Sequence, residues 1–223
     1  MTLLYTNILG ISGQAKSKCY VCIYQAIDQM NKSRLEAFSD GVFAIIITIM
    51  VLELKIPDDA RWESVKPLVP VFISYILSFA FIAIYWVNHH HLVHTLRRVN
   101  AAVMWSNILL LFCLSLVPFA TGWMGKTNFD RVTVAIYGAL LITCGLSFTL
   151  LGKAIRKTYK NETSLSQAVA KSDKKGIVST ILYGLSIPVA LYVSPAVSAG
   201  LFVMVSIMWM IPSKAIEDAL SDE

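Results

Sequence analysis

The sequence predicts an all-α fold, a polytopic membrane protein with six transmembrane helices per subunit, and three observations predict it. Hydrophobic residues make up 56% of the 223-residue chain and charged residues only 15%, against roughly 45–50% and 25% in soluble domains. Residues 67–96, 99–125, 132–152 and 176–213 contain no Asp, Glu, Lys or Arg, and a helix needs about 20 apolar residues to cross about 30 Å of hydrocarbon. The basic residues fall between these runs, so the net charge of +5 marks helix ends at a membrane surface and not a nucleic-acid partner. Four cysteines are too few for a disulfide framework.

Taken in order, residues 1–32 read as a cytosolic N-terminal arm, and residues 33–213 as the transmembrane domain, followed by a cytosolic tail over 214–223. The spans fall at about 34–54, 68–94, 100–122, 132–152, 177–193 and 196–211. The first is unusual. Its charge-free core, residues 41–52, is bracketed by Asp40 and Glu53 and is only about 18 Å long as helix. Such a helix crosses a membrane when its polar ends meet protein or water. The run 176–213 is too long for one span, and Ser194-Pro195 divides it, because proline disfavours helix in the residue before it. Two short helices result, as a spanning hairpin or a re-entrant pair. With six spans, fourteen Lys and Arg fall on the side of both termini and five on the other, which places the N- and C-termini in the cytosol. The stretch 156–175 is then a cytosolic basic loop resting on anionic headgroups.

The first span reads Arg34-Leu-Glu-Ala-Phe38-Ser39-Asp40-Gly41, then Ile45, Thr48, Ile49, Leu52 and Glu53. At about 100° per residue, Phe38, Gly41, Ile45, Ile49 and Leu52 share one face, with Thr48 at its edge and Ser39 and Asp40 behind. A charge at the end of a span must find a partner in protein. The second span, arriving at the same side, ends in Trp86, Asn88, His89 and His90. A hydrogen-bonded network is expected in which Asp40 accepts from Trp86 or a histidine and Arg34 closes the cluster.

These residues closely resemble the first-helix signature of the transmembrane protein 175 family of tetrameric, potassium-permeable channels, and Trp86-Val-Asn88-His89-His90 resembles that family's partner segment. The resemblance implies a homotetrameric cation channel in the cell (inner or plasma) membrane with the first helix lining the pore. It implies that Ile45 is the tightest ring, and that Ile49 and Leu52 extend a hydrophobic constriction. Thr48 would add a hydroxyl layer, and Glu53 a ring of carboxylates that concentrates cations. No Thr-Val-Gly-Tyr-Gly-like filter is present, so selectivity would come from side chains. The expected partners are K⁺ and other monovalent cations, the lipid bilayer and further copies of the chain. No cofactor is expected beyond K⁺ as permeant ion, and no enzymatic activity.

Other constellations carry less. His90 and His94 stand at i, i+4, but no Asp, Glu or Cys accompanies them at ligand spacing, so no metal is expected. Cys19 and Cys22 have redox spacing without a second pair. Cys113 and Cys144 read as core. Gly138, Gly145 and Gly152 are seven apart and allow close helix approach. Asn107 and Pro118 are expected to bond a neighbour or bend the third span. The alternative function is a secondary transporter or proton-coupled carrier using Asp40, Glu53 and the histidines, but no three-plus-three repeat is evident.

Overall fold

The computed structural model describes residues 13–57, 59–96, 98–158 and 164–210, with side chains from Lys32 onward except at 164–174. The 214–223 tail, residues 1–12 of the arm and the side chains of Cys19 and Cys22 lie outside the described residues. The fold is all-helical: α1 (Gly13–Val51), α2 (Val69–His94), α3 (Ala101–Ser115), α4 (Val117–Lys126), α5 (Arg131–Arg156), α6 (Ser164–Pro188) and α7 (Pro195–Met210). A turn of helix at Trp62–Val65 and a 3₁₀ turn at Lys66–Leu68 lead into α2.

Four stretches among the described residues are long and apolar enough to cross a membrane: Trp62–His94, Ala101–Lys126, Arg131–Arg156 and Lys175–Val193. At 16 residues, α7 reaches only about 24 Å. The first helix departs most from expectation. It begins at Gly13, so the chain is already helical through residues 13–32, ahead of the expected start of the span. The basic stretch is likewise helical from Ser164 onward.

Each break has a local cause. Asn100 caps α3 by accepting from the Val103 amide at 2.9 Å, and Asp130 caps α5 through the Val132 amide at 3.0 Å, the usual service of such side chains at helix starts. Pro118 sits in the first turn of α4 and cannot continue the hydrogen-bond ladder of α3, so one span becomes two segments. Past Pro188 the helix widens into a π turn, Val189–Val193, and Ser194 is extended. The loosened carbonyls are not left bare: Arg131 donates to Leu191 O at 3.2 Å and Ser198 Oγ to Ser186 O at 2.9 Å.

Packing is close because lipid tails are as apolar as leucine, so helices associate by fit and hydrogen bonds. A Cβ on Gly125 would lie 2.5 Å from Ser74 Oγ and 2.7 Å from the Val71 backbone, and one on Gly138 2.8 Å from Ser186 Oγ. These glycines let α4 press on α2 and α5 on α6. A buried hydroxyl chain adds to the first contact: Thr121 donates to Ser78 at 2.7 Å, and Ser78 meets the Tyr137 hydroxyl at 2.8 Å. Cys113 and Cys144 are buried free thiols.

Candidate functional site

The first helix presents two unlike faces. Leu35, Ser39, Phe43, Ile46 and Met50 are buried against α2, α3 and α4, at the three- and four-residue steps that keep side chains on one side. The opposite side carries the predicted stripe. Phe38, Ile45, Ile49 and Leu52 are 59%, 58%, 46% and 77% exposed, and nothing lies within 4 Å of where a Gly41 Cβ would be. Thr48 is exposed too, its hydroxyl donating back to Ala44 O and Ile45 O at 3.0 and 2.9 Å. Among the described residues this face is left largely uncovered.

The buried face is fixed by a polar chain. Ser39 Oγ donates to Leu35 O at 2.8 Å and accepts from Asn107 Nδ2 at 2.9 Å, while Asn107 Oδ1 meets His89 Nε2 at 2.7 Å. All three side chains are fully buried, so each bond replaces one that water cannot supply. Phe43 packs on the His89 ring with centroids 5.4 Å apart. Alongside, Trp86 Nε1 donates to Asp40 Oδ1 at 2.9 Å. His90 Nδ1 lies 3.1 Å from Glu36 Oε1, and Lys32 Nζ donates to His94 O at 2.6 Å, joining α1 to the end of α2. Burial there pulls the Lys32 pKa below the usual lysine range, with Glu36 partly offsetting it.

Two network members are placed differently from expectation. Arg34 is exposed and has no hydrogen-bond or ion-pair partner among the described residues. It stands eleven residues before Ile45, about three full turns, and so on the stripe's side of α1 and not toward α2. Glu36 and Lys32 occupy the role assigned to it. Asn88 donates to Ile84 O and Trp209 O at 2.8 and 3.4 Å. Adjacent helical residues point about 100° apart, so Asn88 serves α7 while His89 serves α1. Glu53 is not an uncompensated charge. Lys126 Nζ lies 2.7 Å from its Oε2, and the carboxylate rests over Gly122, where a Cβ would come within 2.8 Å. His90 and His94 rings are 5.8 Å apart, and no three potential metal ligands converge among the described residues.

The sequence reading did not name Glu36 or Lys126. Angular bookkeeping on α1, which puts Glu36 beside Asp40, would have found the first; nothing local marked the second. Asn107 was legible only as an amide in need of a partner.

Several apolar helices, with a short-cored first helix anchored on one side and largely bare on the other, define an all-helical membrane protein. The family model described as the endosomal/lysosomal potassium channel TMEM175 matches residues 34–118, which covers both the anchored helix and its partners on α2 and α3. The chain is 45% identical to the potassium channel HX13_20290 of Chryseobacterium sp. over 86% of its own length and 100% of that protein. It is 35% identical to the potassium channel B446_29190 of Streptomyces collinus, over 58% of this chain and 67% of that one. The crystal structure of a lysosomal potassium-selective channel TMEM175 homolog from Chamaesiphon minutus superposes with a TM-score of 0.71 at 28% identity, covering 82% of this chain and 98% of that one. The chain belongs to the TMEM175 family.

Proposed function

We propose that this protein is a potassium-permeable cation channel of the cell membrane, built from four copies with α1 of each copy around the axis. The observation that carries this reading is the bare stripe. Phe38, Ile45, Ile49 and Leu52 stay exposed on a helix whose other face is secured by three buried polar groups. A rigid helix with an unpartnered apolar face suits a symmetric seam around an axis. Rings of Ile45, Ile49 and Leu52 then form a hydrophobic constriction that gates by dewetting, with Thr48 hydroxyls at its edge. Membership of a potassium-channel family supports K⁺ and other monovalent cations as the permeant species. Six crossings per subunit are reached by counting α1 and α7 with the four long apolar stretches, and the distribution of Lys and Arg supports cytosolic termini. At the other mouth, the Glu53–Lys126 pair leaves little net charge, so cation attraction there is weak until Lys126 is removed.

Full-length protein in a planar bilayer tests this. Unitary ohmic currents carried by K⁺ are expected, and saturable flux without unitary events would establish a carrier instead. Ile45→Asn should raise conductance and weaken K⁺/Na⁺ discrimination. Unchanged permeation in that variant rules out Ile45 as the constriction.

A further inference from the structure

The pore reading leaves unused a cavity on the side of α2 turned toward α5, α6 and α7. Its enclosed part is small, about 30 Å³, and it opens outward between the rings of Phe81, Tyr85, Phe148, Tyr183 and Trp209. Its chemistry is specific in two places. The Tyr85 ring is held 4.7 Å from Phe81 and 5.7 Å from Phe148, and its hydroxyl hangs 3.8 Å from where a Gly145 Cβ would be. That hydroxyl has no hydrogen-bond partner among the described residues, whereas the Tyr137 hydroxyl is bonded to Ser78 at 2.8 Å. A donor at membrane depth without an acceptor is costly, so an occupant that brings an acceptor is favoured.

The second place is the rim. Lys175 Nζ sits 5.9 Å from the centroid of the Trp209 ring and 3.5 Å from Met208 O. Trp209 in turn donates to Ser179 Oγ at 2.7 Å, inside the cavity. Gly176 rests on Thr149, where a Cβ would come within 3.1 Å of its Oγ1, so the Lys175 end of α6 stands level with the final turns of α5, which carry Lys153 and Arg156. From Lys175, Ser179 lies about 6 Å and Tyr183 about 12 Å deeper along the helix. Gly145, beside the Tyr85 hydroxyl, lies about 6 Å along α5 from Thr149, which faces Gly176, so positive charge stands above a hydrogen-bond donor, and the donor beside an apolar slot. That vertical order matches phosphate, ester carbonyl and upper acyl chain of one lipid.

We propose that this cavity binds an anionic glycerophospholipid, with its phosphate at Lys175, an ester carbonyl accepting from the Tyr85 hydroxyl and an acyl chain along the aromatic walls. Basic pockets between membrane helices bind such headgroups, at about fivefold in affinity per lysine. The test is native mass spectrometry of the full-length protein, purified in mild detergent with equal amounts of phosphatidylglycerol and phosphatidylcholine. Wild type should retain phosphatidylglycerol about fivefold over phosphatidylcholine. Lys175→Gln should bring that ratio near unity. Tyr85→Phe should lower retention of both lipids while the ratio holds, and Ser206→Leu, which fills the slot, should lower both further. Equal retention by wild type would overturn the proposal, as would a ratio unchanged in Lys175→Gln, or displacement of phosphatidylglycerol by inorganic phosphate alone, which would indicate a bare anion site. Lipid retention is read without any current, so this result stands or falls separately from ion conduction.

Discussion

Replacing Asn107 with Leu tests the anchor of the first helix most directly. The substitution keeps side-chain size but deletes the bonds to Ser39 and His89, at 2.9 and 2.7 Å. Hydrogen bonds between membrane helices average about 0.6 kcal/mol each, so the pair accounts for about 1 kcal/mol. Ser39 keeps its bond to Leu35 O and is not orphaned. His89 is 1% exposed and loses the acceptor at Nε2, which adds about 1–3 kcal/mol for an unsatisfied buried group. The expected total is about 2–4 kcal/mol, or a fall of roughly 5–15 °C in thermal midpoint for a chain of this size. Size-exclusion chromatography after heating in detergent reads that midpoint on intact assemblies. Asn107→Leu combined with His89→Leu removes the orphan as well as its partner, so the double variant should be less damaged than the two single losses added together. Strict additivity, or an unchanged midpoint in Asn107→Leu, would show that the chain does not hold α1 in place.

Gly125→Ala should destabilise by about 1–3 kcal/mol, since its Cβ would press on the Val71 backbone as well as on the Ser74 hydroxyl; a lower thermal midpoint checks this, and Gly184→Ala, with nothing within 4 Å of the added Cβ, is the neutral control. Lys126→Gln should free the Glu53 carboxylate and raise single-channel K⁺ current at low ionic strength, with the gain vanishing in high salt. Glu53→Gln alone should change current less, because its charge is already compensated. Asp59 accepts from the Ser64 hydroxyl first and from Arg61 second, and these bonds hold its carboxyl below the ordinary aspartate pKa. A depressed carboxylate stabilises the loop above the ordinary aspartate range, and that contribution is lost as pH falls through the lowered value. Carboxyl-resolved NMR titration should show Asp59 titrating low, and Ser64→Ala should move it back up.

Much of this was written in local sequence, and for identifiable reasons. Helix positions follow from charge-free length, and helix breaks from Pro118 and Ser194-Pro195, because both signals act within a few residues. The stripe from Phe38 to Leu52 was legible because helical geometry alone decides which side chains share a face. Asp40 could be assigned a donor on the second helix because a charge at the end of a span has few alternatives to a neighbouring Trp86 or histidine. Two placements differ from the expectation. Arg34 and Asn88 were grouped with Asp40 because they lie at the same ends of their helices, yet their partners depend on how helices are rotated and how close they come.

Sequence by itself determined that the chain is a bundle of membrane helices, and that the first carries one apolar stripe and a set of polar groups that must be paired, since apolar runs and missing solvent impose both. Only the tertiary structure decided who pairs with whom. Asn107 bridges Ser39 to His89, Glu36 replaces Arg34 and Lys126 claims Glu53, because hydrogen bonds are decided at about 3 Å by helix rotation and glycine-permitted approach, which no stretch of one helix encodes.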